Sequence, residues 1–186
     1  MSGQSAGRPF FHRHCAEGSV EVDFGLIPVE TWFEGVVFDD SVISNRGEKI
    51  LHDRRIHYAS AMTLLGKTDG ASAADGISYL DIVSFIKSHG SNPKADLVEL
   101  WKRIVFNMCV SNTDDHLRNH AFLLKPGGWS LSPMFDVNPE PMGDELSLNV
   151  DETENRIRIE LAISVAERFG ITKKEAEDIT YGYKLY

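Results

Sequence analysis

The stretch SNTDDHLRNHAFLL, Ser111 to Leu124, concentrates carboxylates, amides, two histidines and an arginine just ahead of an apolar run. Within it Asp114 and Asn119 are separated by four residues, and Asp136 follows in FDVNPEP. Phosphoryl transfer of the protein-kinase type uses such a set. One Asp accepts or orients the proton of the attacking hydroxyl, an Asn five positions on reaches a magnesium ion, and a second Asp holds magnesium on the β- and γ-phosphates. Magnesium is a hard cation that wants oxygen ligands, which Asn119 and Asp136 can supply. The same residues also suit turns and caps, where Asp and Asn are common for reasons of local hydrogen bonding.

The elements around the stretch decide between these readings. Upstream, Leu97, Leu100, Trp101, Ile104, Val105 and Met108 follow helical spacing, with Asn92 as a candidate cap, Pro93 in the first turn, and Asp96 and Glu99 at the positive end. The polar stretch starts where this helix should stop. HAFLL then reads as a strand, KPGG as a turn and WSLSPMF as a second strand. That hairpin carries the chain back, so that Asp136 should arrive beside Asn119. Two prolines near Asp136 argue against a helix there. Earlier, RRIHYASAMTLLG reads as an extended piece and a short helix ending near Gly66. KTDGASAADG reads as a loop, and Ser78 as the N-cap of a helix that ends at Gly90. In the tail, Leu161, Val165 and Phe169 share a side, and Thr172 with Glu175 forms a capping box. Residues 1–53 are poorly defined, with short apolar runs such as FGLIPVETWFEGVVF that suit strands or a loosely packed arm.

The whole chain sets bounds. Its 186 residues suffice for one sizeable core, with 42% hydrophobic and 25% charged residues as in an ordinary soluble globular protein. A net charge of -9 argues against a general electrostatic grip on nucleic acid, so no direct nucleic-acid binding is expected. Cys15 and Cys109 form no CxxC pair, which fits a reducing cytoplasm. No apolar run reaches the roughly 18 residues of a membrane span, and MSGQSAGRPFFHRHC lacks the apolar stretch of a signal peptide.

Two further groups have residue types that can bind metal. His116 and His120 are spaced as HxxxH, a zinc-binding spacing on a helix, but the Glu of HExxH is missing. His12, His14 and Cys15 in HRHC lie close together near the terminus, where incidental clustering is the simpler reading. Asp115 is either a cap or a helper of Asp114, with a structural role favoured. Arg118 is a candidate to clamp phosphate or to pair with Asp115. Trp101, Trp129 and Phe135 are read as core residues.

NTDDHLRNHAFLL…WSLSPMFDVNP, with RIHYASAMTLLGKTDG…SYLDI upstream, resembles the C-terminal kinase lobe of HipA-like serine/threonine kinases, the toxins of bacterial toxin–antitoxin pairs. The resemblance covers residues 54 to about 180. It implies an α+β, mostly helical fold: a kinase-like C-terminal lobe over 54–186 with a short β-hairpin after the catalytic loop. It further implies Asp114 as catalytic base, magnesium on Asn119 and Asp136, and His116, Leu117, Arg118 and Asn119 against the nucleotide phosphates. ATP would be the donor and a protein Ser or Thr hydroxyl the acceptor, often on an aminoacyl-tRNA synthetase, with a HipB-like DNA-binding antitoxin as partner. The chain departs from the family in its first half. Members carry a glycine-rich phosphate loop with a regulatory serine, and a phosphate-pairing lysine. Here the short GQSAG at Gly3–Gly7 and Lys49 are poor matches. The sequence therefore reads as a C-lobe without its N-lobe, either truncated or one subunit of a split kinase that depends on a separate N-lobe chain. Two alternatives stand beside this reading. The D-x-H-x-x-N order of Asp114, His116 and Asn119 also resembles the loops of aminoglycoside and choline kinases, and a C-lobe without its phosphate loop suits a non-catalytic module that binds an antitoxin or a partner lobe.

Overall fold

The helix expected from the apolar stripe is α3, Pro93–Val110, in a computed structural model that describes residues 11–15, 18–22, 56–140 and 142–181, with only the backbone described for 11–15 and 18–22. Leu100, Trp101, Ile104, Val105 and Met108 are all completely or almost completely buried, which is what the helical period demands of a core-facing stripe. The Trp101 indole N–H donates to the Ala162 carbonyl at 2.8 Å and ties α3 to the C-terminal helices. Asp96 lies in the first turn of α3 as expected, and one expectation there needs correction. Asn92 makes no side-chain cap bond; only its main-chain carbonyl serves, accepting from the Asp96 N–H at 3.1 Å. Asp96 is itself buried and accepts from Ser130 Oγ at 3.5 Å. Burial raises its pKa against opposing contributions from Leu131, Lys125 and others, so its place is set by strand contacts as well as by the helix dipole.

Before α3 lie β3, Tyr58–Ser60, the short α1, Ala61–Leu64, and α2, Tyr79–His89. Ser78 caps α2 as expected: its Oγ accepts from the Leu80 N–H at 3.2 Å, and Asp81 Oδ2 accepts from the Ser78 N–H at 2.9 Å. Gly90 ends α2 because the chain passes so close that a Cβ there would stand 2.5 Å from the Ile86 carbonyl oxygen. After the polar loop, β4, Ala121–Lys125, and β5, Gly128–Leu131, form the expected hairpin. With β3 they make an antiparallel sheet in the order β3-β4-β5, pairing Ala59 with Phe122 and Phe122 with Leu131. Phe85 of α2 meets Phe122 edge-on at 5.0 Å and joins sheet to helix. The second strand stops at Leu131, short of the expected WSLSPMF. Ser132 still donates its N–H to Ala121 at 2.9 Å, but Pro133 has no N–H with which to continue the ladder.

The tail is α4, Ile159–Val165, a 3₁₀ turn over Ala166–Phe169, and α5, Lys173–Tyr181. Leu161, Val165 and Phe169 are buried, and the capping box forms, with Glu175 Oε2 accepting from the Thr172 N–H at 2.8 Å. Near the N-terminus β1, Phe11–Cys15, and β2, Gly18–Val22, pair antiparallel. The remaining expectations for the first 50 residues, including FGLIPVETWFEGVVF, Gly3–Gly7, Lys49 and the side chains of His12, His14 and Cys15, lie outside the described residues. The fold is α+β and mostly helical, and among the described residues no helix is long and apolar enough to cross a membrane.

Candidate active site

The polar loop begins at Ser111, which ends α3 in the left-handed conformation at φ 52° and donates its N–H back to Met108. From there the chain is fixed on several sides. Asn112 donates its main-chain N–H to Asn107 O at 2.8 Å and its side-chain Nδ2 to Asn107 Oδ1 at 3.1 Å. The α1 N–H groups of Ala61 and Met62 donate to His120 O at 2.7 Å and Leu117 O at 3.3 Å. Beyond the hairpin, Glu140 donates its N–H to Ser111 O at 3.0 Å, and Ser147 Oγ donates to Thr113 O at 2.5 Å.

Within this frame the predicted residues separate. Asp114 points outward, with 65% of its side chain exposed. Asn119 is buried and bridges the two halves of the site: its Nδ2 donates to Asp114 O at 3.0 Å and to Asp136 O at 3.4 Å. The hairpin thus returns Asp136 to Asn119 as the sequence suggested. Asp136 is exposed, stands at φ 56°, and its Oδ1 accepts from Asn138 Nδ2 at 3.0 Å. Asp is one of the few non-glycine residues that adopt this left-handed conformation with ease, because its short polar side chain can bond locally.

His116 and Arg118 lie on the outer side. Arg118 Nη1 pairs with Asp69 Oδ1 at 2.8 Å, and Nη2 approaches His116 Nε2 at 3.4 Å. Arg118 is therefore not Asp115's partner; it joins the loop to KTDGASAADG instead. Leu117 is buried, with its side chain in the core and its carbonyl accepting from the Met62 N–H, so it offers no exposed surface to a nucleotide. The HxxxH spacing forms no metal pair, since His120 turns inward to Asp115 while His116 stays beside Arg118. Among the described residues no three His, Cys, Asp or Glu groups are placed to hold a metal. Trp101 is core and Trp129 packs against it, but Phe135 is only half-buried and stays outside the core cluster.

Asp115 is the buried counterpart of Asp114. Its Oδ2 accepts from Tyr79 OH at 2.5 Å, from Asn107 Nδ2 at 2.6 Å and from His120 Nε2 at 3.0 Å. An ionised carboxylate only accepts, so Nε2 is the protonated nitrogen in that contact. Burial by itself pushes the Asp115 carboxyl up, but His120, the Tyr79 hydroxyl and Arg103 outweigh it and hold the group below the usual carboxylate range. Burial, reinforced by the Asp115 charge, pushes the Tyr79 hydroxyl well above its ordinary value. Tyr79 and Asn107 escaped the sequence reading. A polar Asn inside the otherwise apolar IVFNMCV, on the last turns of a core helix, was the available signal, because a buried amide needs a partner.

The donor set fits magnesium. Asn119 spends its nitrogen on two carbonyls, so its carboxamide oxygen carries no hydrogen bond among the described residues, and one of those carbonyls belongs to Asp136, whose residue is exposed. Two oxygen ligands with the rest left to phosphate and water is how magnesium is commonly held.

Residues 36–183 match the family described as the HipA-like C-terminal domain. The chain belongs to that family. A Haemophilus influenzae protein (strain ATCC 51907 / DSM 11121 / KW20 / Rd) named "Putative kinase" is 31% identical over 103 residues, covering 52% of this chain and 29% of that protein. The HipA chain in a Shewanella oneidensis MR-1 complex of HipA, HipB and operator DNA superposes with a TM-score of 0.56 at 18% identity, over 69% of this chain and 35% of that one. This HipA-like chain thus spans about a third or less of the length of either relative, and the second likeness concerns the fold alone.

Proposed function

We propose that this HipA-like chain takes part in transfer of the γ-phosphoryl group of ATP to a protein Ser or Thr hydroxyl. The observation that carries the reading is the Asn119 carboxamide, which joins the main chain of Asp114 to that of Asp136 and leaves its oxygen open. Asp114, exposed beside this bridge, orients the acceptor hydroxyl and takes its proton. Asn119 and Asp136 hold magnesium, which when bound offsets the charge on the phosphoryl oxygens. The His116 and Arg118 side chains face the phosphates.

Positioning and electrostatics supply nearly all of the catalysis in such a transfer. Residues 54–186 form the acceptor and magnesium side of that cradle, and an N-lobe supplies the glycine-rich side. A HipB-like antitoxin is the proposed regulatory partner, an aminoacyl-tRNA synthetase a candidate acceptor, and the cytoplasm the proposed setting, in which the buried Cys109 thiol stays reduced.

Calorimetric titration with ATP tests the reading. ATP should bind in magnesium, and the binding should vanish with a chelator or in Asp136→Ala. Binding that ignores both changes, or transfer that persists in Asp114→Asn, would overturn it.

A further inference from the structure

We infer that Asp115 is the positioning residue of the loop, acting through Tyr79, Asn107 and His120 to hold Asp114 and Asn119 in register; the inference rests on the roles just proposed for those two residues. The geometry is specific. One carboxylate oxygen collects donors from three separate places: the first residue of α2 at 2.5 Å, the last turns of α3 at 2.6 Å and the residue before β4 at 3.0 Å. Asp115 and His120 side chains are only 3% and 2% exposed, so no water competes for these bonds. Asp115 is next to Asp114 in the chain, and His120 is next to Asn119. Asp114 and Asn119 therefore each stand beside a residue that takes part in the bonds at this one buried oxygen.

The physical consequence follows from the local backbone. With Asp115 fixed inward, the preceding side chain is turned to solvent, and Asp114 is 65% exposed. With His120 fixed inward, Asn119 is held where its Nδ2 reaches both Asp114 O and Asp136 O. Tyr79 extends the lock to α2, whose start is itself fixed by Ser78 and Asp81. A merely structural network would contribute stability wherever it lay. This one sets the separation between the side chain proposed to take the acceptor proton and the one proposed to hold magnesium.

Tyr79→Phe is the informative variant, since it deletes one hydroxyl and keeps the buried ring. Val165→Ala, a buried truncation in α4, serves as a control for loss of stability. In the full chain, Tyr79→Phe should weaken magnesium-dependent ATP binding about tenfold, the usual scale for removing a group that orients a ligand from behind. Val165→Ala should leave the affinity unchanged at a similar loss of melting temperature. Unchanged affinity in Tyr79→Phe, or equal losses in both variants, would overturn the inference. Amide hydrogen exchange gives a readout that needs no nucleotide: Tyr79→Phe should speed exchange over residues 113–119 and leave α4 and α5 as they were. If the parent chain binds no ATP, the proposed function fails, and exchange alone decides on Asp115. A selective rise in the loop supports the lock, and a uniform rise or none removes it.

Discussion

Asp114 and Asp115 are the same residue type, adjacent in the chain, and their environments are opposite. Asp114 is mostly exposed, while Asp115 is buried under three donors. Removing Asp114's charge should cost chemistry and little else: Asp114→Asn is expected to keep nucleotide binding and to lower transfer by roughly 100-fold or more, the scale of a lost general base. Parallel titration and transfer assays check this. Removing Asp115 should cost stability, because Asp115→Ala strands buried donors, at about 2–4 kcal/mol in a urea unfolding series. A pH dependence follows as well. The folded Asp115 pKa is depressed, so its contribution is fully present above its unfolded value of about 3.9 and is lost as pH falls through that value toward the lower folded one. The urea midpoint should therefore fall between about pH 5 and the strongly acid range, and Asp115→Asn should show a shallower fall. Equal acid slopes in the two proteins would assign the effect to other carboxylates.

At the scale of elements, the loop depends on the ends of its neighbours more than on their lengths. The Ser78 cap fixes the start of α2 and so the place of Tyr79. Ser78→Ala should destabilise by about 1 kcal/mol, the usual worth of an N-cap, with the change visible as a lower denaturation midpoint. The hairpin turn is equally constrained. Gly128 stands at φ 139°, and a Cβ there would lie 2.4 Å from the His89 carbonyl oxygen, so β5 can approach the end of α2 only with glycine at this position. Gly128→Ala should shift the hairpin and with it Asp136. The expected sign is weaker magnesium-dependent binding of ATP together with a lower melting temperature; a lower melting temperature alone would mean that Asp136 keeps its place when the turn moves.

For the whole molecule, helices α2, α3 and α4 share one core, and the sheet is joined to it through Phe122. The candidate site lies where the polar loop between α3 and β4 meets the segment after β5, so its two halves come from parts of the chain joined by a hairpin. The helical stripe of α3, the α2 caps and the hairpin were legible in the sequence because each is a local pattern with a fixed period or turn chemistry. Asp114, Asn119 and Asp136 were legible because their spacing is read within one short stretch and one hairpin. Tyr79 was not, since nothing local links it to Asp115 across 36 positions of sequence.

The sequence by itself determined the mostly helical α+β fold and the order helix, polar loop, hairpin, acidic residue. Those follow from periodicity, capping and turn residues, which act over a few positions. Tertiary structure alone decided which of two neighbouring aspartates faces solvent, that Arg118 pairs with Asp69, and that His120 turns into the core. These outcomes depend on which donors long-range packing brings to a buried oxygen, and on the cost of leaving such an oxygen unpaired. No local pattern encodes that balance, because the partners meet only once α2, α3 and β4 have been brought together.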